Sequence, residues 1–213
     1  MLGRARWSAL LGLPVLFCAG APGPDDLIIP GLRVGPVTRA STEKTLLRSL
    51  GTAAARAEID TGEGFMQQGL IVYGNERGRR LGVTFNSETP PHPAIVFICY
   101  QESRTPCRWR TRSGVHWGMR LKDLERLNGA PFQITGSGTD ISGNVVSWNG
   151  GQLERELESE GRLIINLDVN GPLDPTVTAA EYEAIAGDRI FPSSHPVLQK
   201  LNPRIIGMYL VFP

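Results

Sequence analysis

Apolar and polar residues alternate over several short stretches of the chain, and this pattern predicts β-strands. The clearest stretch spans residues 163–169, where every second residue is Leu, Ile or Val, and residues 81–85 show the same alternation. The apolar runs at residues 69–73 and 94–100 predict two more strands. Because the run at 94–100 is apolar on both faces, we expect a central strand that is covered on both sides.

Three segments with leucine or alanine at helical spacing predict α-helices, and each is followed by a glycine that stops it. The first begins after Ser41 or Thr38, the second spans residues 122–127, and the third begins at Thr178 and covers 179–186. The stop signals are Gly51, Asn128-Gly129 and Gly187. Residues 53–57 either extend the first helix or begin a strand.

Further strands are predicted at both ends of the chain and in its second half. Residues 27–34 contain Pro30, which fits an edge strand or an extended arm. Residues 145–148 are expected to pair with the segment after Asn149-Gly150, a common two-residue hairpin turn. In that arrangement the glutamates of the following segment form one charged strand face. They are Glu154, Glu156, Glu158 and Glu160.

The order of these elements predicts an α+β fold. Short turns between strands imply antiparallel pairing. A helix followed by a meander of strands occurs twice, so we expect two tandem helix-plus-antiparallel-meander units with a C-terminal helix and strand. The predicted boundaries are a leader or arm at 22–33, a first unit at 34–106 and a second unit at 107–213.

The N-terminus has the pattern of an export signal, residues 1–21. Arg4 and Arg6 precede an apolar stretch at residues 9–19, and small residues follow it. We therefore expect a periplasmic or secreted protein. A lipid anchor through Cys18 is less well supported, because the bulky Phe17 stands where a lipobox carries a small residue. No internal apolar run has the length of a transmembrane helix.

The charge balance argues against nucleic-acid binding, and the cysteine count predicts a disulfide. Lys and Arg (22) nearly balance Asp and Glu (21), so no overall field attracts nucleic acid. Signal removal leaves Cys99 and Cys107, and in an oxidising compartment these predict a disulfide across a short loop. The alternative is a core thiol at Cys99 and an unpaired Cys107.

The sequence contains no recognisable catalytic, cofactor or metal motif. His92, His116 and His195 do not have metal-ligand spacing, and Ser193-Ser194-His195 lacks the context of a nucleophile elbow. Residues 136–140 are glycine-rich but lack the later Gly and Lys of a phosphate loop, which favours a hairpin turn. We therefore assign no catalytic residue, no cofactor and no metal.

An arginine-rich segment is the most distinctive surface feature of the sequence. Strand alternation places three guanidiniums on one face and Trp109 on the other. This arginine strip consists of Arg108, Arg110 and Arg112, with Arg104 nearby. It predicts a docking surface for an acidic protein or an anionic envelope polymer. The alternative is a solvated face, or a face paired with glutamates, for which residues 154–160 are the natural internal partner.

The pattern Gly-Met-x-Leu-x-x-Leu-x-x-Leu-Asn-Gly-x-Pro-Phe at residues 118–132 resembles the helix-to-strand junction of small bacterial envelope domains. These domains are similar to the β-lactamase-inhibitor protein and to small outer-membrane assembly lipoproteins, and residues 34–51 look like a first copy. Asn-Gly-x-Pro-Phe at 128–132 and Trp-Asn-Gly-Gly at 148–151 resemble more closely a family of bacterial envelope proteins that brings no known activity. The resemblance implies two helix-plus-sheet modules and a protein-binding role.

These observations lead us to expect an exported, non-catalytic envelope protein that binds another macromolecule. One alternative is a hydrolase-type enzyme whose residues lie outside any recognised motif, which a deep pocket with perturbed acidic or histidine side chains would favour. The other is a small-ligand-binding or purely structural protein, and a large apolar cavity would point to the ligand.

Overall fold

A computed structural model describes residues 25–101, 106–158, 161–170 and 176–213 of the chain. The predicted signal peptide at residues 1–21 lies outside the described residues, as do Cys18, Arg104 and Glu160. The strands are β1 (Leu27–Ile29), β2 (Arg33–Val34), β3 (Val37–Thr38), β4 (Ala54–Asp60), β5 (Met66–Val72), β6 (Leu81–Phe85), β7 (Pro93–Ile98), β8 (Arg110–Thr111), β9 (Gln133–Thr135), β10 (Val145–Ser147), β11 (Arg162–Leu167), β12 (Ile190–Pro192) and β13 (Ile205–Val211). The helices are α1 (Glu43–Leu50), α2 (Leu121–Asn128), α3 (Gln152–Leu157), α4 (Ala179–Ala184) and α5 (Pro196–Leu201), and a 3-10 turn (Gly51–Ala53) follows α1.

The largest sheet has six antiparallel strands in the order β11-β13-β7-β6-β5-β4, which confirms the α+β prediction. The predicted central strand is β7, and Val96 and Ile98 on its inner face are buried. Ile95 and Phe97 on the opposite face are only half-buried. We predicted that both faces of this strand are covered. One face is fully covered, and the other is covered only in part.

The two predicted units, residues 34–106 and 107–213, contribute strands to this same sheet. Strands β4 to β7 come from the first range, and β11 and β13 come from the second. One cluster of buried apolar side chains also contains residues from both ranges, including Leu70 and Leu210. The two ranges therefore share one packed core.

Two smaller sheets flank the large one, with strand orders β3-β2-β1-β8 and β10-β9-β12. Residues 27–34 were predicted to form an edge strand or an extended arm, and they form two short antiparallel strands instead. Pro30 and Gly31 form a turn between β1 and β2, because proline supplies no N–H for a ladder and Gly31 has a φ of 76°. Strand β1 pairs in parallel with β8, which anchors the N-terminal arm to the middle of the chain.

The large sheet curls at the β4–β5 hairpin. The backbone N–H of Asp60 donates to the Tyr100 hydroxyl at 2.7 Å, although two strands separate β4 from β7 in the sheet. Gly69 permits this curvature, since a Cβ there would lie 2.2 Å from the Val83 carbonyl oxygen. Ile59 is fully buried as a result.

The predicted cap of helix α1, Ser41 or Thr38, is wrong. The helix begins after Thr42. The Thr42 hydroxyl accepts the Thr45 N–H at 3.2 Å, whereas the Thr38 and Ser41 hydroxyls bond each other. Gly51 ends the helix as expected. Residues 54–57 belong to β4, so the strand alternative for this segment is the correct one.

Helix α4 begins after Thr178 as predicted, and the Glu181 carboxylate accepts the backbone N–H of Thr178. That hydrogen bond, with further ones from Lys200 and the Thr178 hydroxyl, lowers the pKa of Glu181 to about 2. The helix ends at Ala184, before the predicted residue 186.

Helix α5 was not predicted. No helix in the described part of the chain is long and apolar enough to cross a membrane.

The prediction of a strand after Asn149-Gly150 is wrong. Both residues have positive φ, as a hairpin turn requires, but helix α3 follows and β10 pairs with β9 instead. Glu154 and Glu156 therefore lie on a helix, and the predicted charged strand face is absent from the described residues.

The contacts of Asn128 link the two short motifs at residues 128–132 and 148–151, which resemble those of envelope proteins. Its buried side-chain amide donates to the carbonyls of Ala130 and Trp148 at 2.8 and 2.9 Å, and its Oδ1 accepts the Leu153 N–H at 3.2 Å. Asn128 thus caps α3, whose own N-cap residue, Gly151, has no side chain. A Cβ at Gly151 would lie 2.2 Å from the Asn128 amide atoms. The motifs thereby fix the packing of α2 against α3.

Candidate functional site

The two cysteines are placed at the distance of a disulfide, as predicted. Their Cα atoms are 5.9 Å apart, and the pair joins the end of β7 to the segment before β8. Cys99 is buried, and Cys107 is half-buried. The link holds the arginine strip against the large sheet.

Replacing Cys107 with serine in the oxidised protein should lower the free energy of unfolding by about 2–3 kcal/mol, because the short loop loses its cross-link. Urea unfolding with and without reductant measures this effect. Cys107→Ser and wild type should unfold alike in reductant, since neither then carries the link. Equal stability in the oxidised state would contradict the pairing.

The burial pattern of residues 108–112 confirms the alternation that was predicted. Arg108, Arg110 and Arg112 are exposed, whereas Trp109 and Thr111 are buried. Regular strand is limited to β8, and Arg112 lies in the turn that follows it. Arg104, the fourth predicted member, lies outside the described residues.

Backbone hydrogen bonds on both sides hold the strip in place. The Arg108 N–H donates to the Gly78 carbonyl at 2.9 Å, and the Arg110 N–H donates to the Asp26 carbonyl at 3.1 Å. The Thr111 N–H donates to the Val115 carbonyl at 3.0 Å. These bonds fix the backbone from which the arginine side chains project.

Trp109 forms the buried base of the strip. Its indole N–H donates to the Arg79 carbonyl at 3.0 Å, and its ring leaves so little space that a Cβ on Gly35 would approach it to 2.6 Å. The Tyr73 ring lies 6.4 Å from the Trp109 ring, between centroids. This packing fixes which face of the segment points outward.

Beneath the strip, Arg79 is a buried cation with two carboxylate partners. Its Nε lies 2.5 Å from Asp26 Oδ1, its Nη1 lies 2.5 Å from Glu76 Oε2, and its guanidinium stacks 4.0 Å from the Tyr73 ring centroid. Burial works to lower the pKa of Arg79, but the hydrogen bonds to Glu76 and Asp26 outweigh it and the pKa is raised. Arg79 therefore stays charged and ties the N-terminal arm to the core.

Two carboxylates lie beside the strip: that of Asp26 and that of Glu156, whose Oε1 accepts the Ser113 N–H at 3.2 Å. Arg108 Nη2 lies 3.0 Å from Asp26 Oδ2, but Asp26 also serves Arg79. Arg110 and Arg112 form no ion pair with a carboxylate of the described residues. Pairing with the glutamates of residues 154–160, one of the two predicted alternatives, is not observed for those in the described part, and Arg108 pairs with Asp26 instead. The other predicted alternative, a solvated face, is compatible with the exposed Arg110 and Arg112.

The histidines and Ser193 have structural contacts. The Ser193 hydroxyl is buried and donates to Glu125, and His195 Nδ1 accepts the Val197 N–H at 3.3 Å as the cap of α5. His92 Nδ1 lies 2.9 Å from the Ser41 carbonyl. No cluster of three or more His, Cys, Asp or Glu side chains within reach of one metal ion occurs among the described residues.

A shallow groove of about 680 Å³ lies beside α1. Leu47, Pro90 and Pro91 supply its apolar surface, and basic side chains line its rim. The basic residues are Lys44, Arg48 and Arg56. Sequence reasoning missed this groove because its walls come from segments that are far apart in the chain.

Comparison with known proteins adds no relative from which a role can be transferred. The search found no protein-family model, no curated protein and no solved structure that matches this chain.

Proposed function

We propose that this protein is an exported, non-catalytic binding module of the bacterial cell envelope, and that its arginine strip docks an acidic segment of another protein. The export signal at residues 1–21 and the cysteine pair support the location. The exposed guanidiniums of Arg110 and Arg112, which form no ion pair with a described carboxylate, carry the binding proposal.

The strip is suited to binding because its backbone is already ordered. The contacts of Gly78 and Asp26 hold the segment, and Trp109 locks it from below. Little conformational entropy of the backbone is therefore lost when a partner binds. Arginine also offers two parallel N–H donors to a carboxylate, which gives directional ion pairs.

The spacing of the strip favours an extended acidic peptide as the partner. Arg108 and Arg110 are two residues apart in extended backbone, a separation of about 6.7 Å. An acidic strand with a carboxylate at every second residue has the same repeat. A segment of alternating glutamate therefore matches the strip in both charge and spacing.

Binding of two labelled peptides, followed by fluorescence anisotropy, tests the proposal. One peptide alternates Glu with Ser, and the other has the same composition with its glutamates contiguous. We expect the alternating peptide to bind more tightly and its affinity to fall as salt is added. Replacing Arg108, Arg110 and Arg112 together with glutamine should abolish the binding.

The matched control changes three exposed arginines elsewhere to glutamine and so removes the same charge. Its positions are Arg126, Arg155 and Arg204. The control should bind the alternating peptide as wild type does. Equal binding by the strip variant and the control would show that the strip is ordinary solvated surface. Equal affinity for both peptides would contradict the choice of an extended acidic segment as the partner.

A further inference from the structure

Strand β4 is an open edge of the large sheet. It pairs with β5 on one side, and no other described strand pairs with its second side. Its seven residues contain no proline, and Ala55, Arg56 and Glu58 are exposed. An unpaired edge of this kind is a template for pairing with another strand.

Hydrogen bonds at the two ends of the β4–β5 ladder establish which residues face the open side. The Tyr73 N–H donates to the Ala53 carbonyl, and the Thr61 N–H donates to the Phe65 carbonyl. Since bonded pairs alternate in an antiparallel ladder, the odd-numbered residues of β4 bond to β5. The backbone groups of Arg56 and Glu58 therefore point outward.

The outward N–H groups at the ends of β4 already have partners within the chain. The Ala54 N–H donates to the Gly51 carbonyl, and the Asp60 N–H donates to the Tyr100 hydroxyl. The available edge is thus a short segment centred on Ala57, with Arg56 and Glu58 on either side of it.

This segment is complementary to itself, and we propose that β4 pairs with β4 of a second copy to form a two-fold symmetric dimer with one continuous sheet. Antiparallel pairing centred on Ala57 places Arg56 of each copy opposite Glu58 of the other. Both of these residues have outward backbone groups, so the register also satisfies their hydrogen bonds. Opposite charges on directly opposed residues stabilise such a pair.

The surroundings of the edge favour the same occupant. Arg56 Nε lies 2.6 Å from Glu43 Oε1. Glu58 Oε1 accepts a hydrogen bond from Gln68 Nε2 at 3.2 Å. Both contacts are exposed, so a partner can replace them at little cost. Lys44 and Arg48 are exposed on α1 and line the same groove as Arg56. Glu58 of the second copy would approach this groove, whose lining carries three cations, Lys44, Arg48 and Arg56, against the one carboxylate of Glu43.

A register-specific cross-link tests the dimer. In the proposed register Ala57 faces its own counterpart in a non-hydrogen-bonded pair, where the Cα atoms are about 4.5 Å apart and a disulfide forms without distortion. Ala57→Cys should therefore give a covalent dimer on mild oxidation, read on a non-reducing gel. Ala55→Cys is the matched control, because its counterpart lies about 13 Å away along the strand.

Sedimentation velocity of the unmodified protein, at concentrations up to about 1 mM, provides the second measurement. Arg56→Glu should weaken the dimer about tenfold or more, since it creates two like-charge pairs, and Arg56→Glu combined with Glu58→Arg should restore it. Glu43→Gln should leave the dimer intact, which excludes an effect through the existing Arg56 contact.

Dimerisation that the Ala57→Cys cross-link traps and the charge reversal weakens would support the proposal. A monomer over the whole concentration range would overturn it. Equal cross-linking of Ala55→Cys and Ala57→Cys would overturn the register, as would failure of the double reversal to restore the dimer.

Discussion

Replacing Gly151 with alanine should lower the free energy of unfolding by about 3 kcal/mol or more. The new methyl group would lie 2.2 Å from the Asn128 amide, so this side chain must leave its buried position. Three backbone groups then lose their hydrogen bonds, and each loss of a buried partner costs about 1 kcal/mol or more. Urea unfolding and a melting temperature lower by about 10 °C would show the effect.

A double-mutant cycle with Asn128 separates this cause from a general defect. Asn128→Ala alone should be destabilising to a similar extent, because the same three backbone groups lose their partner. Adding Gly151→Ala to Asn128→Ala should then cost little more, since the methyl group enters the space that the amide has left. Additive losses would contradict the cap that Asn128 provides for α3.

Replacing Arg79 with methionine should destabilise the protein by about 3 kcal/mol, because it leaves the nearly buried Asp26 carboxylate with Arg108 as its remaining partner. The loss should concentrate in the N-terminal arm. Amide hydrogen exchange in β1 should accelerate more than exchange in β6 or β7, since Asp26 precedes β1 directly. Thermal unfolding and exchange mass spectrometry measure the two effects.

Arg80→Met is the matched control for this prediction. It removes the same charge at the next residue, where the guanidinium lies 5.9 Å from the Tyr100 ring and is only half-buried. We expect a smaller loss of stability and no selective exchange in β1. If Arg79→Met and Arg80→Met behaved alike, the ion-pair anchor of the arm would be refuted.

The sequence correctly predicts those helices and strands that are determined by residues close together in the chain. The alternation at residues 163–167 gives β11, and leucine spacing with Asn128-Gly129 gives α2 and its end. The alternation of residues 108–112 correctly separates exposed arginines from the buried Trp109. In each case the side-chain period is set by the backbone of the segment itself.

The missed features depend on contacts between distant parts of the chain. Asn149-Gly150 has the backbone of a hairpin turn, but Asn128, 25 residues before Leu153, stabilises a helix there. Asp26 and Arg79 are 53 residues apart, so their pairing leaves no local pattern. Helix α5 had a usable signal, since Pro196 occupies its first turn and Asn202 its left-handed end.

The short motifs that resemble envelope proteins have a structural explanation in this chain. Asn128, Trp148 and Gly151 serve the junction of α2 with α3, and Phe132 packs on Trp148 with 5.4 Å between ring centroids. They form a buried junction and not an exposed surface. The proposed docking role therefore rests on the arginine strip and not on these motifs.

Affinity capture tests the proposed binding role most directly. The tagged protein without its predicted signal peptide, residues 22–213, is cross-linked in an envelope extract, and its partners are identified by mass spectrometry. We predict one partner at near-equal amount, cross-linked through an acidic segment close to the arginine strip. The glutamine variant of the strip should lose this partner, and the Arg126, Arg155 and Arg204 control should keep it. Capture of the same partner by the strip variant, or no partner even with long cross-linkers, would contradict the account.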